Sequence, residues 1–563
     1  MRTIKNSFLL ILLLGVFVSA MPVSEKRDTS LYNDNMFTPL TIPEKTDKPQ
    51  TRKYTLKLSQ TQWAPDGFTR STYLVNNQYP GPILQANKGD WFSITVENDL
   101  PVETSMHWHG MFQRGTSWFD GVPSVSQCSI TPGSSLTYEF STNEQTGTYW
   151  WHSHYNAQYM DGILGALIIH DPEDPNLKDY DYEYVVTLTD WYHQTTADLL
   201  ALFLAPGYTG GNPVPDAGLI SGKGQFNCDA KPGYPCKKDS DVAVYKVQKG
   251  KKYRFRIINT SGEAFYMFSI DGHKMKVIEV EGTYVQPFEV TQLPLHIAQR
   301  YSVIVEANQD AKDYWIRATM SKECIFNNGN TTINHDSAIN YNVTGILSYE
   351  GSSNKSPDST PFTDDLTPCR NLDSKLIKPL TASPPKEPTQ TISYNVTFGT
   401  NAMGVAEALL NNSSYVPDKI PTTLRIINDH VDVKTMPTSQ NIEAFNDDKG
   451  VAEITVYNNN SANHPFHLHG HIFWLIGDGV GTEIDKSVYN TVDPPVRDTT
   501  IVPAKGWTTI RFIIDNPGVW AFHCHIEWHL QIGMFAQIAE LTDQLKLQKI
   551  PDSIQGFCAN KAY

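Results

Sequence analysis

Four short histidine-rich segments constrain this chain more than any other feature. They are His107-Trp-His-Gly110, Trp151-His-Ser-His154, His464-Pro-Phe-His-Leu-His-Gly470 and His523-Cys-His-Ile-Glu-Trp-His529. Ten of the 17 histidines fall inside them, which chance placement does not produce. In a strand, residues i and i+2 point to the same face. His107 with His109, His152 with His154, His467 with His469 and His523 with His525 should therefore project as pairs. Imidazole suits copper, iron, nickel and zinc. Two pairs lie early in the chain and two lie late. Enclosing several metal ions with all four requires the first and last parts of the fold to meet.

Cys524 sits between His523 and His525, so its side chain should point the opposite way and serve a different metal. His529 and Met534 follow it at five and ten residues. Cysteine, two histidines and a weak axial methionine make a blue-copper electron-transfer site, with His464 as the second histidine. Zinc also accepts His and Cys ligands, but it has no redox use for a cysteine flanked by two further ligands. Copper is therefore expected. His170, His193, His273, His296, His335, His430 and His471 lack this spacing and read as structural or surface residues.

Elsewhere the chain reads as strands. Trp91-Phe-Ser-Ile-Thr-Val96, Tyr253-Arg-Phe-Arg-Ile257, Tyr301-Ser-Val-Ile-Val305 and Thr509-Ile-Arg-Phe-Ile513 are rich in β-branched and aromatic residues and bounded by turn formers. Long amphipathic helical patterns are scarce. The expected class is all-β, built of sandwiches. Three blocks are expected, at 52–172, 180–350 and 388–563. The Ser-, Pro- and Asp-rich stretch 351–387 reads as a linker or long loop. Identity among the blocks is too weak to establish a repeat.

The bulk numbers bound the rest. Hydrophobic residues at 40% and charged residues at 19% suit packed cores and not a disordered chain. A net charge of −15 disfavours nucleic acid and anionic lipid as partners. Arg2 and Lys5, the apolar run Phe8 to Val18, and Val18-Ser-Ala20 read as a signal peptide over residues 1–20, hence secretion. No later run reaches membrane-spanning length and the C-terminal residues are polar, so no anchor is expected. Glycosylation acceptors occur at Asn259, Asn330, Asn342, Asn354, Asn395, Asn411, Asn412 and Asn459. Seven cysteines are an odd count. In an oxidising compartment six can pair, and Cys524 is the outlier.

With these segments the chain resembles the multicopper oxidases, which include laccases, ascorbate oxidases and ferroxidases. The resemblance runs from about Arg52 to Cys558. It implies three consecutive cupredoxin-like Greek-key β-sandwich domains and four copper ions. By position, the type 1 copper takes His464, Cys524, His529 and axial Met534. The type 2 copper takes His107 and His467. The type 3 pair takes His109, His152, His154, His469, His523 and His525. Asp120, in Phe119-Asp-Gly-Val-Pro123, and Glu527 resemble the family's proton donors to O2.

Cys128 resembles the cysteine bridged to the C-terminal tail, here Cys558. Cys228 and Cys236 resemble a pair in ascorbate oxidases, and Cys324 and Cys369 remain for the third bridge. Glu263, in Ser261-Gly-Glu-Ala264, falls where fungal laccases carry an acid at the phenol pocket. The resemblance thus implies a monomeric laccase that oxidises phenols or aromatic amines with O2. Leu219-Ile-Ser-Gly-Lys-Gly-Gln-Phe-Asn-Cys228 looks somewhat like ascorbate oxidases, so ascorbate oxidase and soluble ferroxidase stand as alternatives. A non-enzymatic wall protein of the same fold stands further off.

Overall fold

A computed structural model describes residues 31–46, 48–326, 339–352, 356–362 and 369–559. The signal segment, Asn330, Asn354 and His335 lie outside the described residues. Strands dominate, and the longest helices among the described residues have eight residues. No helix there is long and apolar enough to cross a membrane.

The strands form six sheets in three pairs along the chain. The first pair joins a sheet of Arg70–Val75, Thr51–Trp63, Trp91–Asn98 and Ser135–Ser141 to one of Leu84–Asn87, Leu164–His170, Gly147–His152 and His107–His109. The middle pair lies between Tyr182 and Tyr349, and the last between Gln390 and Glu540.

A repeat invisible in residue identities is plain in the topology. Thr51–Trp63, Tyr182–Trp191 and Gln390–Thr400 each pair antiparallel with one neighbour and parallel with another. The middle and last sheets also share a bulge, at Val277/Glu279 and at Leu475/Gly477. Pairing geometry persists while side chains diverge, because burial on alternate faces accepts many apolar residues.

The strand Gly518–Cys524 decides where the chemistry sits. Trp520, Phe522 and Cys524 pack in one core cluster with Tyr394, Ile454 and Phe512 of the last sandwich. Val519 and Ala521 pack in another, with Trp108, Phe119 and Tyr138 of the first sandwich. Strand alternation therefore sends Cys524 into its own sandwich and His523 toward the junction with the first.

The segment 351–387 is not free where it is described. Leu372 and Ile377 are buried in the middle core, and Lys378 and Leu380 hydrogen-bond the strand Thr283–Val290. Disulfides join Cys128 to Cys558, Cys228 to Cys236 and Cys324 to Cys369, and Cys524 is free. Asn259 corrects one expectation. It is fully buried, and its amide donates to the carbonyls of Ala264 at 2.9 Å and Leu295 at 3.1 Å, so it offers no surface acceptor. Asn342, Asn395, Asn411, Asn412 and Asn459 are exposed.

Candidate metal centre

Three residues form the first candidate site. His464 opens the strand His464–Leu468, Cys524 closes the neighbouring strand Gly518–Cys524, and His529 lies on the short helix Glu527–Gln531. The helix returns the chain so that His529 meets Cys524. Nδ1 of His464 and Nδ1 of His529 are 3.1 Å apart, and Cys524 Sγ lies 3.8 and 3.6 Å from them. Three such atoms equidistant from one ion, with bonds of about 2.0–2.3 Å, would show this spacing.

Burial pushes the Cys524 thiol well above its usual range and lowers His464 to about 3. His529 is also held well below the usual histidine range, first by burial and then by His464. The imidazoles are thus neutral, and the thiol needs a bound cation to ionise. Met534 is fully buried beside them, its carbonyl accepting from the Cys524 amide at 3.2 Å. On the outer side Phe398 is 38% exposed, with its ring 5.2 Å from that of His529.

The other eight histidines converge where the first sandwich meets the last. His107 pairs with His152 across adjacent strands, and His467 with His523. Across the junction His107 stacks on His469 at 3.9 Å, and His109 on His467 at 3.7 Å. The same-face rule holds within a strand only for His107 and His109. His154, His469 and His525 lie just past the ends of their strands, where the chain bends.

The hydrogen bonds fix which nitrogen is free. Nδ1 donates to the carbonyl of Asp120 from His107 (2.6 Å) and to that of Ser153 from His152 (2.9 Å). It donates to the carbonyl of Asp498 from His467 (2.8 Å) and to that of Cys524 from His523 (3.0 Å). A carbonyl only accepts, so each Nδ1 must carry the proton and each Nε2 a lone pair. Nε2 of His107, His152, His154 and His467 is buried without a hydrogen-bond partner, as are both nitrogens of His525. Burial first, then neighbouring imidazoles, holds His109, His152, His154, His467, His469 and His525 well below the usual range. Buried, neutral and unpartnered imidazoles of this kind fit metal ions. Hydrogen bonding that fixes the tautomer is the usual support of a metal-bound histidine.

Asp120 is fully buried, and its Oδ2 accepts from Nδ1 of His469 at 2.8 Å. Gly121 follows at positive φ, where a Cβ would drive into the Met106 carbonyl. Glu527 is buried, accepts from Gln531 at 2.6 Å, and is pushed up to about 8 by burial. Glu263 is 4% exposed and held well above the carboxylate range by burial and then by Asp190.

Asp498 is a site residue the sequence did not announce. Its carboxylate accepts two bonds from Arg300, at 2.7 and 2.6 Å, and lies 3.4 Å from His109 Nε2. A carboxylate occupied by a guanidinium orients neighbours and is not itself a free ligand. The only local signal was a charged pair, Arg497-Asp498, with Asp498 at the bend between the short strands Val496–Arg497 and Thr499–Val502.

Models described as multicopper oxidase match residues 57–174, 182–352 and 415–544. The chain belongs to the multicopper oxidases. It is 35% identical to Laccase-1 of Cryptococcus neoformans var. neoformans over 545 residues, covering 92% of this chain and 84% of the relative. It is 36% identical to Laccase-2 of Agaricus bisporus over 499 residues, covering 87% and 90%.

A laccase from Botrytis aclada superposes with a TM-score of 0.82 at 33% identity, covering 92% of both chains. Fet3p, a multicopper oxidase that functions in iron import, gives 0.80 at 29% identity, covering 90% and 94%. The three sheet pairs are thus cupredoxin-like domains of a laccase-like multicopper oxidase, a copper-binding oxidoreductase.

Proposed function

We propose that this multicopper oxidase is a secreted, monomeric laccase that binds four copper ions, oxidises phenols or aromatic amines and reduces O2 to water. The type 1 site would be held by His464, Cys524, His529 and Met534. The type 2 site would be held by His107 and His467, and the type 3 pair by His109, His152, His154, His469, His523 and His525. Copper held by these residues would supply one-electron chemistry, which couples single-electron oxidations to the four-electron reduction of O2.

The chain's own residues do the rest. His529 Nε2 is the polar edge of the first site toward the outer side, and Phe398 offers an aromatic face beside it. Glu263 would take up a phenol proton only in its ionised form, which burial and then Asp190 disfavour. Cys524 joins the two ligand sets, because it is bonded to His523 and His525 and its carbonyl accepts from His523. Four protons are consumed per O2, and Asp120 and Glu527 are the buried acids beside the cluster that would supply them. Three disulfides and exposed acceptors such as Asn342 and Asn395 support secretion.

The observation that carries the reading is the laccase similarity over most of the chain, joined to an aromatic-flanked His529. Oxygen uptake by the copper-loaded protein, with 2,6-dimethoxyphenol, ascorbate and Fe(II) in parallel, tests it. The phenol should give the highest kcat/KM. Dominance of ascorbate or Fe(II) would make the reductant assignment wrong while leaving the copper chemistry in place.

A further inference from the structure

The two nitrogens of His529 have different neighbours. Nδ1 turns inward, toward His464 and Cys524. Nε2 turns outward, where the carboxamide nitrogen of Asn212 stands 3.1 Å away. The same Asn212 nitrogen donates to Glu263 Oε2 at 3.1 Å. One side-chain amide therefore bridges the outer edge of His529 and the buried carboxyl.

Glu263 and Asn212 are held differently. The main-chain N–H groups of Gly262, Glu263 and Ala264 all donate to the Asp190 carboxylate, at 3.0, 2.8 and 3.1 Å. Asp190 is itself fully buried, so Glu263 is fixed from behind. Asn212 is only half-buried, in a glycine- and proline-rich turn braced by Tyr208, whose hydroxyl donates to the Gly211 carbonyl at 3.0 Å. Phe398 and Asn212 are thus the more exposed neighbours of His529, and Glu263 is buried deeper than Asn212.

A phenol brings a flat ring and a hydroxyl that both donates and accepts. The ring suits Phe398. A hydroxyl near His529 Nε2 meets Asn212 before it can meet Glu263. A carboxamide offers both a donor and an acceptor, so it can hold the hydroxyl and keep its contact with Glu263. We propose that Asn212 is the positioning and specificity-determining residue of the reductant site, holding a phenolic hydroxyl against His529 Nε2 and linking it to Glu263. This rests on the phenol reading above. A reductant without a hydroxyl, such as hexacyanoferrate(II), needs only proximity to His529 and gains nothing from Asn212.

The test uses Asn212→Ala and Glu263→Gln, singly and combined, in the copper-loaded full chain. Turnover is measured with 2,6-dimethoxyphenol and with hexacyanoferrate(II). Calorimetric titration with 4-nitrophenol, an electron-poor phenol, reads binding without turnover. A redox titration of the blue centre reports any disturbance of the metal site.

Asn212→Ala should raise the phenol KM and weaken 4-nitrophenol about ten-fold, the scale of one lost hydrogen bond, and leave hexacyanoferrate(II) within about two-fold. Glu263→Gln should add little once Asn212 is gone, because the two act as one unit. Equal loss for both reductants, an unmoved phenol KM, or additive effects would overturn the role of Asn212. A wild-type protein that oxidises hexacyanoferrate(II) but no phenol would instead overturn the reductant reading itself.

Discussion

The carboxylate of Asp120 accepts from Nδ1 of His469 at 2.8 Å across a sequence separation of 349 residues, and so ties the first domain to the last at the histidine cluster. The Asp120 carbonyl fixes His107 in the same way. One residue thus orients two proposed ligands from different domains. Asp120→Ala should release His469 and weaken copper binding about 10–100-fold. Asp120→Asn keeps an accepting oxygen, so copper should stay while turnover falls about 100-fold if the acid supplies protons. Copper per chain by elemental analysis, beside oxygen uptake, separates the two effects.

Glu527 tests proton supply independently. Its carboxyl is bonded to Gln531 on its own helix, so Glu527→Gln should leave the ligands in place. Turnover should fall about 100-fold, with the blue absorption and copper content retained. Unchanged oxygen uptake would remove Glu527 from the proton path.

Acid stability should depend on a buried ion-pair network in the second domain. Arg254 pairs with Asp174 at 2.6 Å and Glu279 at 2.5 Å, and Arg256 pairs with Glu183 at 2.8 Å. Glu279 also accepts from the Thr148 amide at 2.7 Å, joining the first domain to the second. Burial alone would raise Glu279 and Glu183, but the two arginines outweigh it and hold both below the usual range. For acids depressed on folding, the stabilisation is present above the unfolded value of about 4.3 and is lost as pH falls through the folded value. The wild-type Tm should therefore drop steeply below about pH 4. Glu279→Gln leaves Arg254 short of a partner and should cost about 3–5 kcal/mol near pH 6. Its deficit against wild type should shrink in acid, as Tm measured against pH would show.

Met534 should set the potential of the blue centre. It is fully buried in the same core as Cys524, and a thioether there would donate weakly to a copper held by Cys524. Met534→Leu removes that donor with little change in volume and should raise the midpoint potential. Redox titration of both proteins checks the direction.

Removing copper should destabilise the folded chain. The buried imidazoles would then keep unpartnered nitrogens, and a ligand at 1,000 times its Kd contributes about 4.1 kcal/mol. Chelation should lower Tm, and copper addition should restore it.

The histidine pairs were legible because ligand spacing is local. Strand geometry accounts for the pair His107 and His109 and for the opposite aims of His523 and Cys524, while the other pairs showed only as i, i+2 spacing because their second members lie past the strand ends. The fold class was legible from β-branched runs between turn formers. Asn212 and Asp498 were not legible. Each gains its place from partners far along the chain: His529 lies 317 residues from Asn212, and Arg300 lies 198 from Asp498. Asn259 matched a glycosylation triplet, yet its burial is a property of the packed middle domain.

By itself the sequence determined which residues are candidate metal ligands, because ligand spacing depends on neighbours two to five residues apart. The tertiary structure decided that His107 stacks on His469 and His109 on His467. It also decided which imidazole nitrogen is free and that Asn212 stands between Glu263 and His529. Those relations depend on how whole sheets pack, and packing sums many weak contacts between distant segments that no local pattern encodes.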